Sequence, residues 1–169
     1  MDFDFFELAQ QVEELSGVKL ELAGGMTTWE AFPPYKHQNR IYRIQQSIHR
    51  RTDAIFDCAC AHVSDAYVKF PDGSIKRPDI AIFCREPDED EQDGAVTLLP
   101  EAIVEIISKH YEDKDLKVGV PFYLSQGIAD VVTLDMVANT VIHFRPGQPE
   151  ETHTSPVTLT FACGCEATI

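Results

Sequence analysis

Residues 77–117, which read RPDIAIFCREPDEDEQDGAVTLLPEAIVEIISKHYEDKDLK, decide the fold because they contain two apolar runs that each carry one acid. Asp79 stands at the head of the run IAIF, and Glu105 interrupts the run AIVEII. Short apolar runs rich in β-branched residues are typical of buried strands. A lone carboxylate on a strand covered on both faces is costly, so a cation is expected beside the pair. An acid on a solvated strand face would need none.

Candidate cations follow the second run, in the segment KHYEDKDLK that contains Lys109, Lys114 and Lys117. Two strand-borne carboxylates and a lysine are the groups that a metal-dependent phosphodiesterase needs. The acids hold Mg²⁺, the metal polarises the phosphate, and the lysine activates water or stabilises charge. The stretch therefore predicts phosphodiester hydrolysis.

The order RPDIAIF, LPEAIVEIIS and KDLKVGVPFYLSQGIADVVTLD, within residues 26–145, resembles the Uma-two family, a branch of the restriction-endonuclease-like PD-(D/E)XK superfamily. The resemblance implies an αβββαβ core and identifies Pro78-Asp79 as the "PD" and Glu105 as the "(D/E)". It also implies that Asp79, Glu105 and the peptide carbonyl of Ile106 hold Mg²⁺ or Mn²⁺.

The lysine of that motif is displaced in this chain. Ile107 stands two residues after Glu105, and the lysine that the family carries on the following helix corresponds to Gly119. Lys114, at the entrance of the predicted helix, is the expected substitute. Lys117 ranks second, because two residues on from Asp115 it points to another side of a helix.

A histidine in the N-terminal part is a further candidate. The family commonly has a histidine and an acid in this region, which correspond to His37 and Glu30. The resemblance implies that His37 transfers a proton or orients a metal ligand. A capping or surface role for a lone histidine stays open.

Length and composition favour one α/β domain over residues 1–169, with a mixed sheet flanked by helices. We expect an N-terminal helix and strand in 1–25, the core in about 26–145 and one C-terminal strand in 146–169. An amphipathic helix is expected from about 39 to 51. Its arginines either contact phosphates or form a solvated face: Arg40, Arg43, Arg50 and Arg51.

The net charge and the cysteines limit the possible functions further. The net charge of −14 argues against a broad basic surface for nucleic acid, and the acidic segment 85–95 is expected to be solvated and mobile. Five cysteines without a basic, apolar leader indicate reduced thiols in a cytoplasmic protein outside the membrane. The two C-x-C pairs could assemble a four-thiolate zinc site, although structural zinc pairs generally have wider spacing.

Two functions from different classes fit these observations. The first is a metal-dependent endonuclease that hydrolyses phosphodiester bonds of nucleic acid, with DNA as the expected partner. The alternative is a degenerate, non-catalytic nuclease fold that acts as a binding or homodimeric interaction module. A free sheet edge at 140–145 would serve such a homodimer.

Overall fold

The computed structural model describes residues 4–107 and 114–169, with the side chain of Lys114 outside that description. Its helices are α1 (Phe5–Ser16), α2 (Tyr35–Ser47) and α3 (Val120–Ser125), with a 3₁₀ helix at Glu89–Glu91 and a π-helical segment at Lys114–Gly119. The strands are β1 (Val18–Ala23), β2 (Met26–Ala31), β3 (His49–Arg50), β4 (Ala61–Val63), β5 (Val68–Lys69), β6 (Ile75–Lys76), β7 (Ile80–Phe83), β8 (Ala102–Ile107), β9 (Asp130–Asp135), β10 (Thr140–Phe144), β11 (Glu151–Thr154), β12 (Thr158–Thr160) and β13 (Cys165–Thr168).

A six-stranded mixed sheet forms the centre, in the order β11-β10-β9-β8-β7-β4. Strands β8 and β9 are parallel, and the other pairs are antiparallel. The segment from Lys114 to Ser125 provides the helical crossover that a parallel pair requires. The prediction of an α/β fold with a mixed sheet flanked by helices is confirmed.

Alternate residues of the central strands pack on opposite faces, as the pleat dictates. Ile80 and Ile82 join α2 and the C-terminal strands in one apolar cluster. Ala81 and Phe83 join α3 in the other. The central strands are therefore covered on both faces, as their unbroken apolar runs indicate.

A second, four-stranded sheet has the order β2-β1-β6-β5. Strands β5 and β6 form a hairpin around the turn PDGS, and the chain is not continuous strand from β6 to β7. The chain leaves this sheet after Lys76 and enters the central sheet at Ile80. Pro78 interrupts the ladder because it has no N–H group. Asp79 therefore lies between the two sheets and not inside the hairpin's second strand.

Several predicted boundaries were wrong. Helix α2 begins at Tyr35, directly after Pro34 at its N-cap, and ends at Ser47. The C-terminal part contains β11, β12 and β13 where one strand was predicted. Strand β11 pairs with β10 from Thr140 to His143, so the expected free edge at 140–145 is covered.

The acidic segment has local structure of its own. Asp88 and Glu91 form a capping box on the 3₁₀ helix, and Arg85 pairs with Asp88 at 3.1 Å. Glu91 accepts hydrogen bonds from the backbone and the hydroxyl of Thr97. Two of its acids therefore shape the return of the chain towards β8.

No helix within residues 4–107 and 114–169 is long and apolar enough to cross a membrane.

Candidate active site

The two predicted acids lie side by side. Ile80 pairs with Val104, so the next antiparallel positions along these strands are Asp79 and Glu105. The backbone N–H of Asp79 donates to Glu105 Oε2 at 3.0 Å, and the backbone N–H of Ile106 donates to Asp79 Oδ2 at 2.8 Å. The Glu105 carboxylate thus bonds the residue just before β7, and the Asp79 carboxylate bonds β8, which fixes both side chains where β7 begins and β8 approaches its end.

Tyr123 connects the acid pair to the crossover helix. Its hydroxyl donates a 2.6 Å hydrogen bond to Glu105 Oε1, and its ring is fully buried. Both oxygens of Glu105 are therefore engaged, one by Asp79 and one by Tyr123. The sequence analysis did not select this tyrosine as a site residue.

A buried lysine lies next to Tyr123. Lys76 Nζ stands 4.8 Å from the centre of the Tyr123 ring and 3.5 Å from Glu21 Oε2. The residue is only 4% exposed, which is unusual for a lysine and requires the compensating charge. Lys76 thus brings a cation towards Glu105 from the small sheet, where no cation was predicted.

Strand β1 adds two more buried charges to this face. Lys19 and Glu21 alternate with leucines, and the charged face of the strand is the buried one. Glu21 Oε1 accepts the backbone N–H of Arg77 at 2.8 Å, and Lys19 Nζ lies 3.4 Å from Asp65 Oδ1. The site therefore contains a network of alternating charges that joins the two sheets.

The charges in this network shift one another's ionisation. Burial and repulsion by Asp79 raise the pKa of Glu105 to about 8, with a partial offset from Lys76. Burial alone would lower the pKa of Lys19, but the surrounding carboxylates, Glu21 first, outweigh it and raise that pKa above its ordinary value. Lys19 stays charged at neutral pH, whereas Glu105 retains its proton over much of the neutral range.

His37 faces the acid pair from the first turn of α2. Its Nε2 lies 3.1 Å from the carbonyl oxygen of Ile106 and 3.3 Å from Asp79 Oδ2. Burial would lower the pKa of His37, but the hydrogen bond and charge of Asp79 outweigh it and raise that pKa. Its Nδ1 is buried without a hydrogen-bond partner among the described residues. A cavity of about 330 Å³ opens beside it, bordered by Glu30, Phe32, Ile107 and Met136 among others.

The structure describes the predicted lysines only in part. The side chain of Lys114 and the whole of Lys109 lie outside the described residues. Lys117 is exposed on the π-helical segment, and Gly119, at the position of the family lysine, is buried. Asp79, Glu105 and His37 are thus brought together with Lys76 and Tyr123, and Lys117 is exposed to solvent.

The fold is a mixed sheet with one parallel pair and a helical crossover. Among the solved structures similar to it is one titled as a putative nuclease belonging to DUF820 from Anabaena variabilis. That structure has a TM-score of 0.57 and 19% sequence identity, covering 83% of this chain and 80% of its own. The chain belongs to the Uma2 family, described as "Putative restriction endonuclease", whose model matches residues 4–169. No curated protein matched the chain.

Proposed function

We propose that the protein is a metal-dependent endonuclease whose site consists of Asp79, Glu105 and the carbonyl of Ile106. The observation that supports this most strongly is a pair of hydrogen bonds: Glu105 Oε2 accepts from the Asp79 N–H, and Asp79 Oδ2 accepts from the Ile106 N–H. Family membership and the nuclease-like fold agree with phosphodiester hydrolysis. The proposed substrate is nucleic acid, and DNA is the first to test.

The donor set fits a hard divalent cation. Carboxylate and carbonyl oxygens are the ligands that Mg²⁺ and Mn²⁺ prefer. Asp79 Oδ2 and the Ile106 carbonyl oxygen lie 3.3 and 3.1 Å from His37 Nε2, so these two oxygens face the same side of the strand ends and share the imidazole as a neighbour. The raised pKa of Glu105 shows that its ionised form is poorly compensated by the surrounding groups. A bound cation would stabilise that ionised form. When bound, such an ion would polarise a phosphate oxygen and acidify a water molecule.

The chain's own groups divide the remaining tasks. Tyr123 holds the Glu105 carboxyl through its 2.6 Å hydrogen bond. Lys76 is ion-paired to Glu21 and makes a cation–π contact with the Tyr123 ring. It supplies positive charge near the acids and would stabilise developing negative charge on a phosphate. His37 orients Asp79 and can accept or release a proton at Nε2. Lys114 remains a proposed contributor from sequence.

The arginines of α2 and β3 support nucleic-acid contact only in part. Arg50 pairs with Asp57 at 2.9 Å, and Arg51 pairs with Asp53 at 2.6 Å. These two charges are partly neutralised, which favours the solvated-face interpretation for them. Arg43, exposed on α2, is the better candidate for a phosphate contact.

The test uses labelled single- and double-stranded DNA with Mg²⁺ or Mn²⁺. Wild-type protein should cleave DNA only with a divalent ion, and Mn²⁺ should raise its melting temperature. Asp79→Ala should lose both responses, because it removes a carboxylate ligand. If Mn²⁺ stabilises neither protein and no cleavage occurs, the endonuclease proposal fails. The degenerate binding module would then account better for glycine at position 119.

The lysines are distinguished by charge-neutral substitutions. Lys76→Met should reduce divalent-dependent cleavage at least about tenfold, since it removes the buried cation beside Glu105. Lys117→Met is the matched control and should leave cleavage nearly unchanged, because Lys117 is exposed. The double variant Lys76→Met, Glu21→Gln avoids leaving a buried carboxylate unpaired, and its melting temperature is measured beside its activity so that a loss of activity is separated from unfolding. Equal losses from Lys76→Met and Lys117→Met would contradict the assignment.

Lys114→Met, measured alongside, tests the prediction from sequence. A loss of at least about tenfold is expected if Lys114 reaches the acids. Activity equal to that of the wild type would remove Lys114 from the proposed site and leave Lys76 as the cation.

A further inference from the structure

All five cysteines gather at one place, away from the acid pair. Cys58 and Cys60 precede β4, Cys84 directly follows β7, and Cys163 and Cys165 belong to the turn and start of the β12–β13 hairpin. The structure joins Cys58 to Cys84 and Cys60 to Cys165, and leaves Cys163 as a buried thiol. Reduced thiols were predicted for all five, and four are paired. The fold brings together sulfurs that are 26 and 105 residues apart in sequence, which spacing alone does not reveal.

The arrangement of the sulfurs goes beyond two separate pairs. The Sγ atoms of Cys58, Cys163 and Cys165 lie within 4.8 Å of one another, although none of these three is joined to another. Cys58 Sγ and Cys165 Sγ are 3.4 Å apart. In a tetrahedral zinc site with bonds of about 2.3 Å, neighbouring sulfurs are about 3.8 Å apart. The central three sulfurs thus lie within about 1 Å of the spacing that thiolates have around one zinc ion.

The backbone fixes these sulfurs in place. The Phe161 N–H donates to the Cys165 carbonyl at 2.8 Å, and the Gly164 N–H donates to the Phe161 carbonyl at 2.9 Å. Gly164 has φ +89°, and a Cβ there would lie 3.0 Å from Ala54 Cβ. The glycine between the two cysteines is therefore required both by its conformation and by the close approach of a neighbouring loop.

An ion has a route to this cluster. A cavity of about 280 Å³ is bordered by Cys58, Cys84 and Cys163, together with the acids Asp57 and Glu101. The acids favour entry of a cation, and the buried sulfurs beyond them form a closed site of the kind that structural zinc occupies.

We propose that the reduced cluster is a structural Zn²⁺ site, with Cys58, Cys163 and Cys165 as three ligands and Cys60 or Cys84 as the fourth. Reduction of the two disulfides takes four electrons from a thiol or phosphine reductant and four protons, which a thiol reductant brings itself and which water supplies when the reductant is a phosphine. Each ligating thiol then loses one proton to solvent as its sulfur bonds zinc. The proposal gives a role to Cys163, which two disulfides alone leave unused.

Zinc would hold the β12–β13 hairpin against the end of β7. Cys84 and Cys58 belong to segments beside the central sheet, whereas Cys163 and Cys165 belong to the hairpin. One ion would replace two covalent links and would join the same segments. The site is independent of the proposed endonuclease activity, because none of its ligands belongs to the acid pair.

The test measures the metal content of the full chain purified under a phosphine reductant. Wild-type protein should carry about one zinc per chain, and cobalt substitution should give the thiolate charge-transfer and visible bands of a tetrahedral sulfur site. Cys163→Ser should lower zinc affinity at least about tenfold, although it leaves both disulfide pairs intact. Asp79→Ala is the control and should retain its zinc. Less than about one zinc per ten reduced wild-type chains, or full zinc in Cys163→Ser, would overturn the proposal.

Two further measurements distinguish the loss of a zinc ligand from misfolding of a variant. Adding zinc to the reduced, metal-free wild-type protein should raise its melting temperature, and the absence of a rise would contradict a structural site. Cys60→Ser and Cys84→Ser identify the fourth ligand, since one of them should lower zinc affinity at least about tenfold. Full zinc affinity in both single variants and in the double variant Cys60→Ser, Cys84→Ser would rule out a four-thiolate site.

Discussion

Asp130→Ala is expected to destabilise the protein by about 3 to 5 kcal/mol, the cost typical of removing one partner from a buried ion pair. Asp130 is fully buried at the start of β9. Its Oδ1 accepts from His143 Nε2 at 2.7 Å and from Arg145 Nε at 2.8 Å, and its Oδ2 accepts the Ala162 N–H at 2.7 Å. Alanine leaves these three donors without their acceptor and removes the hydrogen bond that joins Ala162 of the C-terminal hairpin to β9.

Thermal or denaturant unfolding checks this expectation. Glu151→Ala is the matched control, because Glu151 pairs with the same arginine at 3.4 Å but is exposed. Exposed pairs contribute about 0 to 1 kcal/mol, so this variant should stay close to the wild type. Similar losses in the two variants would show that the buried network does not hold the hairpin.

The pH dependence of the Asp130 contribution follows from its pKa. Burial alone would raise the pKa, but the hydrogen bonds from His143, Ala162 and Arg145 outweigh it and lower the pKa below its ordinary value of 3.8. The stabilisation is therefore present above that ordinary value and is lost as the pH falls through the lowered folded-state value. The gap between wild type and Asp130→Ala should narrow in strong acid.

Glu105→Gln is expected to make the metal-free protein more stable than the wild type at alkaline pH. The folded-state pKa of Glu105 is about 8, against an ordinary value of 4.5. Between these values the folded chain holds a proton that the unfolded chain has lost, so wild-type stability falls as the pH rises. The fall is on the order of 5 kcal/mol and levels off above the folded-state value.

Glutamine should remove this dependence and still make both hydrogen bonds. Its carbonyl can accept from the Asp79 N–H, and its amide can donate to the Tyr123 hydroxyl. The free energy of unfolding is measured in a chelator from pH 5 to about pH 9. Glu101→Gln, which removes a half-buried acid just before β8, is the control and should retain the slope. A Glu105→Gln slope equal to that of the wild type would mean that another group titrates.

The sequence predicted the acid pair because both carboxylates interrupt apolar strands, a pattern with few structural explanations. It also predicted the mixed sheet, since the runs around Asp79, Glu105 and 129–135 have unambiguous strand character. The position of His37 facing the acids came from the family resemblance alone. These features depend on local patterns, which a single sequence displays directly.

The buried lysine beside Tyr123 could not be predicted in this way. Alternation in VKLELA shows that β1 has two faces, but it does not show that the face of Lys19 and Glu21 is the buried one. Lys76 precedes Pro78 by two residues and reads as the solvated end of a hairpin. It becomes a site residue only because the chain passes from one sheet to the other at this point.

The acid pair lies at the segment that connects the two sheets. Residues 77–79 belong to neither ladder, yet Glu21 holds the Arg77 N–H from one sheet and Glu105 holds the Asp79 N–H from the other. A shear between the two sheets would pull on both of these bonds at once. The carboxylate geometry is therefore coupled to the relative position of the sheets, and any ligand that cross-links Asp79 with Glu105 would also stiffen the whole molecule against that motion.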